Sequence, residues 1–84
     1  MIYRLFKYGK VYEDGSCAPY ERTDKRVVVK SRDRIIHAVK ANFPTEIRFA
    51  EWVDFGKMFD VPNAKRYVAC LEKNGRPYGE LRAF

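Results

Sequence analysis

The chain has 84 residues, of which 46% are hydrophobic and 15% aromatic, and its formal net charge is +6. This length predicts one domain with a small core, and the apolar content is too high for a disordered tail. No apolar run approaches the roughly 20 residues of a membrane-spanning helix, and basic residues interrupt the N-terminal segment, which argues against a signal peptide. We therefore expect one folded cytoplasmic domain over residues 1–84, a complete small gene product that begins at Met1.

The first third of the chain has the composition of two strands separated by a turn. Residues 2–8 are dense in aromatic and aliphatic side chains, and residues 25–30 contain three consecutive valines, which suit a pleated surface. Residues 13–16 form a strong turn sequence, and Pro19 predicts an irregular or sheet-edge segment after it.

Residues 32–42 predict an amphipathic helix with Ser31 as its N-cap. Pro44 ends this helix, because the residue before a proline avoids the α region. At 100° per residue the apolar side chains fall on one face and the polar ones point to solvent. The apolar face contains Ile35, Ile36, Val39 and Phe43, and the polar face contains Asp33, Arg34, His37 and Lys40.

The second half returns to strand patterns. Apolar residues alternate with polar ones from residue 46, although residues 51–60 also fit a short helix. Residues 66–72 and 77–84 flank Asn74-Gly75, a dipeptide that readily adopts the type I′ hairpin turn. These elements predict an α+β fold: a small antiparallel sheet of four to five strands, one main helix packed on one face, and a C-terminal β-hairpin.

The positive charge is concentrated in residues 22–40, where seven basic residues stand against two acidic ones. A basic stretch that runs from a strand into a helix N-terminus can follow a phosphate backbone, because Lys and Arg displace its counterions. Tyrosines on the predicted strands are candidates for stacking on unpaired bases. The basic residues are Arg22, Lys25, Arg26, Lys30, Arg32, Arg34 and Lys40, and the tyrosines are Tyr8, Tyr12, Tyr67 and Tyr78.

The same charges are also explained by a solvated surface or by an acidic protein partner, since no known nucleic-acid-binding motif is present. Residues 46–60 are acidic and aromatic, a combination found in protein interfaces and in small cores alike. Phe49, Val53 and Phe55 are expected in the core, and Trp52 and Phe59 fit either the core or an interface.

Several chemistries are disfavoured. The single histidine, His37, has no recognisable nucleophile beside it, and Cys17, His37 and Cys70 lack the spacing of a metal site. In a reducing cytosol both cysteines are expected as thiols. Carboxylates near Arg48, namely Glu46 and Glu51, leave a small ribonuclease as a third hypothesis, but no spacing requires it.

The sequence thus predicts a non-enzymatic basic binding protein, without cofactor or metal, that contacts nucleic acid through residues 22–40. The alternative is a protein-interaction or inhibitor module that docks on a larger protein or nucleoprotein complex. In size and character, though in no motif, the chain resembles small phage-encoded host-modulating proteins such as anti-CRISPR proteins and polymerase inhibitors. A homodimer through an edge strand, such as one left by the C-terminal hairpin, is a further prediction.

Overall fold

The computed structural model describes residues 1–10, 12–13, 20–54 and 67–83. These residues form five strands: β1 (Ile2–Tyr8), β2 (Tyr20–Val28), β3 (Ile47–Asp54), β4 (Tyr67–Lys73) and β5 (Arg76–Ala83). A 3-10 turn at Arg32–Arg34 and helix α1 (Ile35–Asn42) connect β2 to β3. The predicted α+β fold class is confirmed. The second strand begins earlier than its valine run suggested, at Tyr20.

All strand pairs are antiparallel, and the strands lie in the order β2-β1-β5-β4-β3. Strand β5 is therefore central, and the expectation that the C-terminal hairpin leaves an exposed edge is wrong. A dimer formed through an edge would use β2 or β3. Each of these edge strands has a register irregularity, a feature that native sheets use to limit edge-to-edge pairing.

The turn of the C-terminal hairpin lies at Asn74-Gly75, as predicted. Both residues have positive φ, 52° for Asn74 and 81° for Gly75, which a type I′ turn requires at its two central positions. The Asn74 amide also donates to the carbonyl of Glu46, at 3.3 Å. This bond ties the hairpin turn to the segment that enters β3.

Helix α1 begins later than the sequence predicted, because residues 32–34 form the 3-10 turn. The Ser31 hydroxyl makes no bond to the helix backbone and donates to the Asp33 carboxylate, which holds the pKa of Asp33 below its usual range. At the other end Phe43 is extended, with φ −133° and ψ 155°, so the helix ends before Pro44 as expected.

The core lies between α1 and one face of the sheet. Ile35 and Val39 of the helix are buried there, but Ile36 is 51% exposed, so its predicted place in the core is wrong. Ile36 lies 100° around the helix from Ile35, beyond the surface that the sheet covers. The sheet contributes Tyr3, Leu5, Val27, Ile47, Ala69, Leu71 and Leu81, and Val29 joins them just after β2.

An irregularity between Phe49 and Glu51 changes which residues of β3 face the helix. Trp52 packs against the core, with its ring centroid 5.7 Å from Phe49 and 6.2 Å from Tyr3. Val53, predicted in the core, is half-buried and lies opposite Val68 on the other face of the sheet, outside the core cluster. Residues 51–54 are strand, while Cys17, Phe55 and Phe59 lie outside the described residues.

In the described part of the chain, no helix is long and apolar enough to span a bilayer.

Candidate functional site on the distal face of the sheet

The face of the sheet away from α1, which we call the distal face, carries a row of three arginines. Side chains alternate between the two faces of a strand, so Arg4 points away from the core that Tyr3 and Leu5 join. Arg4 lies directly opposite Arg26 in β2 and Arg82 in β5. Neighbouring strands are about 4.8 Å apart, so the backbones of the three arginines span roughly 10 Å.

Like charges directly opposite one another on neighbouring strands repel, although Arg82 is also paired with Glu80. Arg4 is 7% exposed, and burial lowers the pKa of its guanidinium. The positive charges of Arg22 and Arg26 lower this pKa further, and Asp24 opposes them. The Arg4 Nη1 lies 3.8 Å from the fully exposed Asp24 carboxylate, and such a pair compensates only weakly.

Arg82 is held in one orientation by two contacts. Its Nε donates to the Glu80 carboxylate at 2.8 Å, and the Glu80 side chain is 1% exposed. Its guanidinium carbon lies 4.3 Å from the centroid of the Phe6 ring, within the range of a cation–π contact. The charged head of Arg82 therefore has a fixed position beside Arg4.

Arg22 completes the group, because it lies opposite Phe6 in the next row toward the other end of β1. A shallow depression of about 360 Å³ is lined by Arg4, Phe6, Arg22 and Arg82, together with Ala83. We call Arg4, Arg22, Arg26 and Arg82 the arginine cluster. Planar guanidinium groups bind phosphate and carboxylate oxygens through two parallel hydrogen bonds, so this arrangement suits an anionic ligand.

The remainder of the distal face also carries acidic side chains. Glu80 in β5 lies opposite Cys70 in β4, and Cys70 lies opposite Glu51 in β3. Glu72 is also on this side of the sheet, opposite Arg48. The distal face is therefore basic over β2 and β1, while the part over β5, β4 and β3 carries the carboxylates of Glu80, Glu72 and Glu51 together with Arg82 and Arg48.

The structure divides the basic residues that the sequence grouped together. Arg22 and Arg26 are exposed on the distal face, whereas Lys25 lies toward the helix, with its Nζ 5.5 Å from the centroid of the Phe43 ring. Arg32 covers the ring of Tyr67 at 3.7 Å. Lys30, Arg34 and Lys40 are exposed on the turn after β2, the 3-10 turn and α1.

The candidate stacking aromatics are likewise dispersed. Tyr8 is half-buried at the end of β1, and Tyr12 is 45% exposed outside the strands, with Lys10 Nζ 5.0 Å from its ring centroid. Tyr78 packs against the core, and Lys7 Nζ lies 5.5 Å from its ring centroid. Together with the half-buried Tyr67 and Trp52, these rings form no single platform among the described residues.

The sequence did not lead us to include Arg4, Phe6 and Arg82 in the candidate site. Arg4 and Arg82 stand at opposite ends of the chain, and only the pairing of β1 with β5 brings them together. A usable signal was present in β1, because its alternation places Arg4 and Phe6 on the face opposite Tyr3 and Leu5. Local sequence patterns do not show that β1 pairs with β5.

The other candidate chemistries do not converge at the arginine cluster. Over the described ranges, no three metal-binding side chains lie together. Glu46 and Arg48 line a depression of about 550 Å³ beside the hairpin turn together with Glu72, while Glu51 lies further along β3, opposite Cys70. The half-buried Cys70 lies on the distal face beside Glu80.

Comparison of the chain with protein-family models, with curated proteins and with solved structures finds no match. The function is therefore argued from the geometry and charge of the distal face.

Proposed function

We propose that this protein binds nucleic acid without catalysis, through the arginine cluster on the distal face. The observation that carries the proposal is the row Arg26–Arg4–Arg82, which places three like charges directly opposite one another on adjacent strands. Guanidinium groups at three adjacent cross-strand positions can contact several anionic oxygens of one extended ligand.

A phosphate backbone suits this row better than a single small anion does. The cluster extends over three strands and two cross-strand rows, so one phosphate does not reach all four side chains. Successive phosphates of a nucleic-acid strand are regularly spaced charges that several arginines can contact at once. The half-buried Phe6 ring beneath Arg82 adds an aromatic surface between the charges.

A purely solvated surface accounts less well for the cluster. Charges that serve only solubility are best interspersed with opposite charges and placed far apart. Here Arg4 is almost fully buried and lies opposite two other arginines, while Asp24 beside it is fully exposed and Glu80 binds Arg82. Three guanidinium groups therefore lie next to one another on the sheet instead of being dispersed over the surface.

Two double variants with the same change in net charge test the proposal. Arg22→Glu with Arg26→Glu reverses two exposed charges of the arginine cluster, and Arg34→Glu with Lys40→Glu reverses two exposed charges on the helical segment. Affinity for fluorescently labelled single- and double-stranded oligonucleotides is measured by anisotropy at low and physiological salt. We expect the cluster variant to lose more than about tenfold in affinity and the helix variant to change little.

Thermal unfolding curves of both variants check that each one is folded under the conditions of the binding assay. Equal losses in the two variants would show that net charge alone attracts the oligonucleotide, and the cluster would then not be the site. Absence of binding by the unaltered protein at low salt would refute nucleic-acid binding altogether.

A further inference from the structure

A second surface lies on the helix side of the molecule, away from the arginine cluster. A groove of about 590 Å³ runs between α1, the connection that follows it and the first residues of β3. Ile36, Phe43, Ile47 and Phe49 are among its apolar lining residues. Its volume lies within the range of about 300–1,000 Å³ that is typical of binding pockets.

Ile36 is a large apolar side chain that the sheet leaves uncovered at the edge of the groove. A helix of a small domain normally turns its large aliphatic side chains toward the core, yet Ile36 is 51% exposed at the groove. Phe43 and Phe49 are only partly buried where they pack against the core. An apolar lining of this kind gains free energy when a partner covers it.

The charged residues that line the groove itself are both basic, although Arg48 also borders the neighbouring depression with Glu46 and Glu72. The charged residues that line it are Lys40 on α1 and Arg48 on β3. Lys25 adds a third cation, since its Nζ lies 5.5 Å from the centroid of the Phe43 ring. Glu46 lines the neighbouring depression by the hairpin turn, on the other side of Arg48. An occupant that matches both properties is apolar at its centre and negatively charged at its ends.

We propose that this groove binds a short segment of a partner protein in which apolar side chains are flanked by carboxylates. The apolar side chains contact Ile36, Phe43 and Phe49, and the carboxylates pair with Lys40 and Arg48. The proposal is independent of nucleic-acid binding, because the groove and the arginine cluster lie on opposite sides of the sheet.

The probe is a fluorescein-labelled synthetic peptide with two glutamates at each end and alternating leucine and phenylalanine in the middle. One comparison peptide has lysines at its ends, and another has serine and glycine in its middle. We expect saturable binding of the first peptide only. Amide chemical shifts should change within residues 36–49, and the changes should be absent from β1 and from Arg22 and Arg82.

Single variants on exposed positions locate the contact. Lys40→Glu and Ile36→Glu should each weaken binding of the acidic apolar peptide about tenfold. The first variant repels the carboxylates of the peptide, and the second loses apolar contact with its centre. Arg34→Glu has the same charge change as Lys40→Glu but lies outside the groove lining, and it should bind within about twofold of the unaltered protein. Arg22→Glu with Arg26→Glu should also retain the peptide.

Three results would overturn the proposal: no saturable binding up to about 1 mM, equal binding of the lysine-ended peptide, or chemical-shift changes confined to the arginine cluster. The last result would assign the peptide to the same anion site as the oligonucleotide. Because each surface has its own variants, failure of peptide binding leaves the test of nucleic-acid binding unaffected.

Discussion

Arg4 stands between Arg26 and Arg82 in the sheet. Its side chain is buried, and both neighbouring side chains are also positively charged. A residue in this position is destabilised by its surroundings, so removal of a nearby charge should relieve the folded state. Functional surfaces often carry such costs, because the arrangement that binds a ligand is not the one that is most stable without it.

Arg22→Thr tests this cost at the edge of the cluster. Arg22 is exposed on an edge strand, it lowers the pKa of Arg4 through its charge, and threonine suits a strand. We expect the free energy of unfolding to rise slightly while oligonucleotide affinity falls. Urea denaturation and anisotropy titration measure the two quantities. A variant that is less stable and binds normally would contradict both expectations.

Tyr3 predicts how stability depends on alkaline pH. Its side chain is 2% exposed, and burial raises the pKa of its hydroxyl, although the charge of Arg32 opposes the shift. The unfolded chain releases this proton near pH 10, before the folded protein does. The stability due to the neutral hydroxyl is therefore present below about pH 10 and is lost as pH rises through the higher folded pKa.

Tyr3→Phe keeps the ring and removes the ionisable group. At neutral pH the variant should lose at most about 1 kcal/mol, because the hydroxyl makes only a weak contact of 3.9 Å to the Met1 sulfur. Above pH 10 it should lose less stability than the unaltered protein. Tyr12→Phe, which removes a hydroxyl from an exposed ring, is the control and should leave the alkaline profile unchanged. If Tyr3→Phe and the unaltered protein lose stability identically at alkaline pH, the ionisation of Tyr3 is not the cause of that loss.

At the level of elements, β5 is the central strand, and Gly79 is a position where the backbone of β1 lies very close to it. A Cβ at Gly79 would lie 2.6 Å from the Phe6 carbonyl oxygen and 3.2 Å from the Lys7 Cα. The obstructing atoms belong to the backbone of β1, so the two strands themselves would have to move apart. The glycine therefore permits the pairing that brings Arg82 beside Arg4.

Two glycines of the C-terminal hairpin should respond differently to substitution. Gly79→Ala should cost about 1–3 kcal/mol through overpacking. Gly75→Ala meets no atom within 4 Å, but its φ of +81° is strained for alanine and should cost about 1–2 kcal/mol. Gly75→Asn should restore part of that loss, since asparagine tolerates positive φ, whereas Gly79→Asn should not. Urea denaturation gives all four values, and equal rescue at both positions would refute the distinction.

At the scale of the whole molecule, only a fraction of the 17 basic residues belongs to the proposed site. The arginine cluster has four, and among the other described cations Lys25 and Arg32 lie over aromatic rings and Lys30, Arg34 and Lys40 are exposed outside the cluster. A local site predicts a shallow salt dependence. With three or four phosphate contacts, the logarithm of single-strand affinity should fall against the logarithm of salt concentration with a slope of about −2 to −3. A slope beyond about −6 would mean that the oligonucleotide contacts the molecule far outside the cluster.

Local sequence determined much of the architecture. The β1 pattern, the end of α1 before Pro44 and the Asn74-Gly75 turn depend on interactions between near neighbours, which composition and spacing encode. The errors arose where tertiary contacts decided the outcome. The irregularity in β3 moved Val53 out of the helix-side core, and the limited cover of the sheet left Ile36 exposed.

The sequence by itself also determined that the protein is basic and that its charge is concentrated in residues 22–40. The tertiary structure alone decided which of the charged side chains lie next to one another. The strand order places β1 between β2 and β5, and this aligns Arg26, Arg4 and Arg82 in one row. Arg4 and Arg82 come from opposite ends of the sequence. The physical reason is that strand pairing is a long-range choice, set by how the whole sheet buries its apolar face, whereas turns and helix ends are set within a few residues.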